Sequence, residues 1–319
     1  MKERSKNFSR VIKITQKKAN PRIYNLYKPI DQTSYSVIRA LKKYLPKKTK
    51  LGHFGTLDPF ACGVLMIGVD GAQKLNDYIH QYLPKSYLAM GILGKKSETG
   101  DLTEGFTDED SSEYLVQTIA KFEPEFIEKQ LQDKFLGDYW QSPHKYSAAK
   151  FEGKPLHEWT RAGVEIKKEQ VRREVYELNV VEYDFPRLKI HFKVSSGTYI
   201  RTLFADCAEY LGTLGVLEGL ERTAVGECLS ENALRDFESA VSEDQFMEID
   251  KVLNLDSIVF ADKEAHLYKN GVRLNQSRIC EMRSGQIRGE HFWVRNMKGD
   301  ILGLAKIEED EVRSLFNFS

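Results

Sequence analysis

Apolar and polar residues alternate from Ile23 to Tyr27 and the alternation stops at Lys28-Pro29, which predicts a short strand. Ser34 then reads as the cap of a helix carrying Val37, Ile38, Leu41 and Leu45 on one face and Lys42 and Lys43 on the other. The apolar run Val64 to Val69 predicts a buried strand, Lys74 to Tyr82 a helix ended before Pro84, and Ser86 to Leu93 another strand. A polar, turn-rich stretch fills 94–112. Helical periodicity returns at Tyr114 to Phe122 and Glu125 to Phe135, separated by Pro124. Trp140 to Lys154 reads as loop, and the residues on to Ala162 as helix. Arg172 to Tyr183 and Leu188 to Val194 alternate as paired strands, with Leu188, Ile190, Phe192 and Val194 on one face. Gly197 to Arg201 opens a helix that continues to Gly212. The stretch 229–262 reads as an acidic, partly helical connector. Beyond Lys269, short segments such as His291 to Val294 and Ile301 to Ala305 lie between glycine-containing turns and predict a small β domain. The pattern by itself supports a mixture of α and β.

Length changes this picture by suggesting division: 319 residues is long for one domain. No run approaches the roughly 18 apolar residues of a membrane span, and charges stand where a signal peptide has its apolar core, so a cytoplasmic protein is expected. Cysteines 62, 207, 228 and 280 are far apart and lack metal-ligand spacing, so neither zinc nor a disulfide framework is expected. The net charge is zero, yet residues 1–50 hold 15 Lys/Arg against 2 Asp/Glu, leaving the remainder negative by 13. Phosphate binding follows local cationic density rather than the average, so this asymmetry points to an anionic partner, although a solvated helix face would also explain it.

The candidate chemistry begins where the basic run ends. In Gly52-His53-Phe54-Gly55-Thr56-Leu57-Asp58-Pro59, glycines permit close backbone approach and Pro59 stiffens the chain after the carboxylate. Leu-Asp-Pro is also ordinary turn chemistry. Three further segments combine residues with no obvious packing reason. They are Lys85-Ser86-Tyr87, the basic and aromatic stretch from Gln141 through Lys145 and Lys150 to Arg161, and Ser195-Ser196-Gly197-Thr198-Tyr199-Ile200-Arg201. Basic and aromatic mixtures stack on and clamp RNA, and the last segment joins helix-start amides to a hydroxyl, a ring and a guanidinium.

In this order and spacing the four segments resemble the TruB family of tRNA pseudouridine synthases over about residues 22–228, with a weaker match to the C-terminus. The resemblance implies an α+β pseudouridine synthase fold with a mixed, mainly antiparallel sheet, flanking helices and a small C-terminal β domain of the PUA type. The expected division is a basic arm over 1–20, a catalytic domain over 21–230, an acidic connector over 231–261 and the PUA-like domain over 262–319. The implied activity is conversion of the T-loop uridine 55 of tRNA to pseudouridine. Asp58 matches the nucleophile, Tyr87 the tyrosine packed on the target base, and Tyr199 and Arg201 the pocket residues, the arginine pairing with the carboxylate. His53 is implicated in displacing the target from its stack, Leu220 in the pocket wall, and Lys145 and Lys150 in holding RNA.

This isomerisation breaks the glycosidic bond, turns the base and joins C5 to the ribose without redox change, so no cofactor or metal is expected. Arg201 is expected to lower the pKa of Asp58. The expected partner is tRNA, through its T-arm and acceptor end, with the chain acting as a monomer. Four positions depart from the family pattern: Phe54 for Thr, Cys62 for Thr, His144 for Pro, and Glu221 for Arg in a Leu-Arg-Arg run that keeps Arg222. Glu221 is expected to weaken RNA binding. Two alternatives stay open at this point, a guide-RNA-dependent synthase subunit and a non-catalytic tRNA-binding or folding protein.

Overall fold

A computed structural model describes residues 21–142, 150–151, 154–155 and 169–318. The basic arm, the His144 and Lys145 positions and the helix expected up to Ala162 lie outside these residues. Among the described residues, no helix is long and apolar enough to cross a membrane.

The fold is α+β. One sheet orders its main path as Met247–Glu248, Arg22–Lys28, Cys62–Val69, Gly215–Val225, Lys85–Leu93, Arg187–Val194, Val171–Asp184 and Gly137–Gln141. Neighbours are antiparallel except Cys62–Val69 against Gly215–Val225, which run parallel with register Glu221 to Cys62 and Arg222 to Gly63. That contact is short, and the Arg222 side chain adds a hydrogen bond across it, Nε donating to Val64 O at 2.7 Å. The alternation expected from the sequence holds: Leu188, Ile190, Phe192 and Val194 are all buried, and their neighbours Arg187, Lys189, His191 and Lys193 are not. Their face packs with Leu203, Phe204 and Cys207 of the helix Ile200–Tyr210 and with Ile127 and Leu131 of the helix Pro124–Phe135. Pro124 starts that helix, since a missing N–H costs nothing in the first turn. At the other end of the sheet, Val37 and Leu41 of the helix Ser34–Lys42 cover Leu65 and Ile67.

Three expectations change. Thr33, not Ser34, caps the first helix, its side chain accepting from the Ser36 N–H, because Ser34 is turned inward. Trp140 belongs to the edge strand Gly137–Gln141 rather than to a loop. The stretch 231–261 is built into both sheets: Met247–Glu248 pairs with Arg22–Ile23, and Ser257–Phe260 lies inside the second sheet, ahead of residue 262. Pairing with a distant strand leaves no periodic signal in so short a segment.

The second sheet runs Leu274–Asn275, Glu311–Asn317, Ile301–Glu308, His291–Asn296, Ser257–Phe260, Glu281–Arg283. It docks on the helix Asn76–Tyr82 through a shared apolar cluster that includes Ile79, Trp293 and Leu304. Tyr82 hydroxyl and His291 Nδ1 are hydrogen-bonded at 2.6 Å, and Trp293 Nε1 donates to Leu253 O at 2.7 Å.

Candidate active site

Asp58 ends a loop that three buried side chains pin from three strands or helices. Ser34 Oγ accepts from the Leu57 N–H at 2.9 Å and donates to Leu57 O at 3.1 Å. Lys28 Nζ donates to Gln32 O, Pro29 O and Pro59 O at 2.6, 2.8 and 3.3 Å. Arg222 donates to Val64 O at 2.7 Å, Gly55 O at 3.2 Å and Thr56 O at 3.4 Å. Phe54, one of the departures, is fully buried beneath the loop, and Gly68 makes room for its ring, since a Cβ there would stand 2.6 Å from it. The loop is therefore held at both its backbone and its base. Ser34→Ala should lower stability by about 1–3 kcal/mol and slow turnover, because it strands the buried Leu57 N–H. Urea denaturation beside an activity assay checks this, and an unchanged midpoint would remove Ser34 from the support.

Arg201, in the first turn of the helix Ile200–Tyr210, meets this loop from the opposite side. Its Nη2 lies 3.0 Å from Asp58 Oδ2, while Nη1 donates to Asp101 Oδ2 at 3.1 Å and to Thr99 O at 2.6 Å. The Arg201 side chain is only 7% exposed and that of Asp58 38%, so the pair sits at a cleft floor with the carboxylate facing out. One guanidinium thus spans two carboxylates, a use suited to its rigid fork. Arg201 lowers the Asp58 pKa as expected, but burial outweighs it. Burial pushes it up, Arg201 pulls it back, Asp101 pushes it up again, and the net position is above the usual carboxylate range. Desolvation was not legible in the sequence.

The cleft encloses about 410 Å³, within the range of small-ligand sites, and His53, Asp58, Tyr87, Tyr199, Arg201 and Leu220 all line it. These residues come from three strands, a loop and a helix start. Lys150 lies in the short strand Lys150–Phe151, which pairs with Lys154–Pro155. Tyr199 is positioned by Gln141, whose amide accepts from its N–H at 2.8 Å and donates to its carbonyl at 3.0 Å.

Sequence reasoning missed Asp101, Gln141 as a support, any role for Lys85, His80 and the pinning role of Arg222. Lys85 stands two residues from Tyr87 on the same strand face, a spacing that could have found it. Burial pushes its ammonium down to about 7, with Arg222 adding, and His80 goes down to about 4, from burial first and then Lys85. His53 is lowered for the same first reason, and its buried Nδ1 has no hydrogen-bond partner among the described residues. The strand also decides which way Glu221 faces. Leu220 and Arg222 line the cleft, and Glu221, between them on an alternating strand, faces the opposite side. There its charge acts on Tyr27, over whose ring the Arg235 guanidinium stacks at 3.5 Å. The acid is therefore spent on a neighbouring cluster and does not confront the cleft.

Residues 42–200 match the model of the TruB family pseudouridylate synthase N-terminal domain. The chain is 32% identical over 291 residues to tRNA pseudouridine synthase B of Clostridium acetobutylicum, covering 90% of this chain and 96% of that protein. It is 32% identical to the protein of the same name from Thermotoga maritima, covering 89% of each. Among solved structures, a chain from a Cbf5-Nop10-Gar1 complex superimposes with a TM-score of 0.66 at 22% identity, covering 93% of this chain and 85% of that one. That likeness establishes the pseudouridine synthase fold.

Proposed function

The chain belongs to the TruB family of pseudouridylate synthases, which are isomerases, and from that membership we propose that it converts uridine 55 in the T-loop of tRNA to pseudouridine. The observation that carries this reading is the Asp58–Arg201 pair at the floor of a base-sized cleft that also holds Tyr87. Binding alone gives no reason to aim a carboxylate outward into such a cleft, where it would repel phosphate.

In the proposed reaction the target nucleotide leaves its stack and enters the cleft, at a cost of a few kcal/mol that phosphate contacts offset. Asp58 acts as the nucleophile. The bond from ribose C1′ to N1 breaks, the base turns, C1′ joins C5, and the C5 proton is lost as N1 gains one, so atoms and electrons balance without a second substrate. A carboxylate raised above its usual pKa is more basic and hence a better nucleophile once ionised. Arg201 fixes its orientation. Tyr87 and Tyr199 hold the detached base, Leu220 closes the wall, and His53 occupies the space beside the displaced nucleotide. Lys145, Lys150 and the arm 1–20 supply cationic contacts to tRNA, and the C-terminal domain holds the acceptor end, with one copy of the chain per tRNA.

Tyr87 separates two duties. Tyr87→Phe keeps the ring and should slow turnover while binding tRNA as the wild type does, if the hydroxyl takes part in proton transfer; Tyr87→Ala should lose both. Single-turnover kinetics with parallel filter binding distinguishes them, and equal turnover in the Phe variant would confine Tyr87 to packing. The overall reading is tested by incubating the purified chain with an unmodified tRNA transcript and mapping pseudouridine by carbodiimide primer extension. A stop at position 55 supports it; no modification without added guide RNA overturns it.

A further inference from the structure

A second cleft of about 290 Å³ adjoins the catalytic one, and His80 lines both. The wall between them is the turn Ser196-Gly197, whose first residue faces the second cleft and whose second faces the catalytic one. Arg173, from the strand Val171–Asp184, lies across this wall. Gly197 has φ +86° and no Cβ, and a Cβ added there would stand 3.1 Å from the Arg173 guanidinium carbon, so glycine is what lets the cation lie flat on the turn.

Arg173 is supplied with donors and short of acceptors. Its Nη1 makes one long bond, 3.5 Å to Ser196 O, and its buried Nε has no partner. Among the described residues no carboxylate pairs with it, although Glu174 lines the same cleft and Tyr199 acts on it electrostatically. Arg172 donates to Asp138 at 2.6 Å, and the Glu174 carboxylate acts on Tyr176. His80 Nδ1 is hydrogen-bonded to Ser196 Oγ, and burial keeps that ring neutral. Tyr176, which lines the same cleft, is 45% exposed. A half-buried guanidinium with an unmet donor and a half-exposed tyrosine lining one cleft match the two halves of a nucleotide, its phosphate and its base.

We propose that the second cleft is a subsite for the RNA nucleotide next to the one in the catalytic cleft, with Arg173 binding the linking phosphate and Tyr176 stacking on the neighbouring base. This rests on the RNA-modifying reading above. It adds a definite register: the phosphate that crosses the Ser196-Gly197 wall is one bond from the reacting nucleotide, so its capture holds the extruded sugar over Asp58.

The test is a scan of T-arm stem-loop RNAs, each carrying one uncharged methylphosphonate linkage within two nucleotides of the target uridine. Wild-type protein should lose affinity about tenfold at one linkage flanking the target. Arg173→Met should bind the unmodified RNA about tenfold more weakly, show no further loss at that linkage, and have a salt slope smaller by about one. Arg173→Lys, which keeps a charge on a stem of similar length, should recover most of the slope and guards against a folding defect in the Met variant. Tyr176→Ala should weaken binding without changing the slope. Equal sensitivity of wild type and Arg173→Met at every linkage, or an unchanged slope, overturns the subsite. Turnover of the unmodified stem-loop by wild type is read in parallel, so that failure of the isomerase reading is seen separately from failure of the subsite.

Discussion

Asp58→Asn should reduce pseudouridine formation by at least about three orders of magnitude while leaving tRNA affinity within a few-fold of wild type. The substitution keeps shape and removes the nucleophile. It also leaves Arg201 with Asp101 and the Thr99 carbonyl, so the helix start and the cleft should stay in place. The variant carries a second signature in its stability. Because burial raises the Asp58 pKa, the folded state binds its proton more tightly than the unfolded chain does. The favourable contribution of the protonated acid is complete below the unfolded carboxylate pKa and is lost as pH rises through the folded one. Asn is exempt from that loss. Thermal unfolding at neutral pH should therefore find Asp58→Asn at least as stable as wild type, with the gap closing in acid. Turnover within a few-fold of wild type would take Asp58 out of the chemistry, and a variant markedly less stable at neutral pH would show that its pair with Arg201 outweighs its burial.

Arg201 should give the largest effect on stability. Arg201→Met leaves Asp101 buried without its cation and Asp58 facing it across the gap, which should cost about 3–5 kcal/mol, visible as a fall in the urea midpoint. Arg201→Lys asks a subtler question. An ammonium carries the charge but cannot bridge two carboxylates and a carbonyl at once. Arg201 is the main group drawing the Asp58 pKa down, so weakening its hold should raise that pKa further and move the acid limb of the pH–rate profile to higher pH. Activity then fails earlier as pH is lowered. An unshifted limb with wild-type turnover in the Lys variant would make Arg201 a structural residue only.

Wherever a segment declares its own periodicity, the sequence was enough. Leu188 to Val194 shows which face is buried because side chains alternate across a strand whatever it pairs with, and Val64 to Val69 reads as buried because both its faces are apolar. The loop from Gly52 to Pro59, Tyr87 and the Tyr199-Arg201 pair were likewise legible, since each is a compact run of unusual residue types. Distant partners leave no such trace. Asp101 is 100 residues from Arg201 and lies in a polar, turn-rich stretch where one more acid draws no attention. Ser34 reads as a cap in any local reading, and only the packing of its helix on Leu65 and Ile67 turns it toward Leu57. That Glu221 sits on the face away from the cleft was visible only once the strand was placed.

The chain order and residue types determined the family, the faces of the strands and helices, and the carboxylate, guanidinium and rings that face one another. Tertiary structure decided which way the Asp58 pKa moves, what Arg201 holds besides Asp58, and how Arg173 comes to lie on the wall of a second cleft. These are matters of desolvation and of contact between segments far apart in sequence. Burial depends on the summed surroundings of a group in three dimensions, which no local pattern of residues encodes.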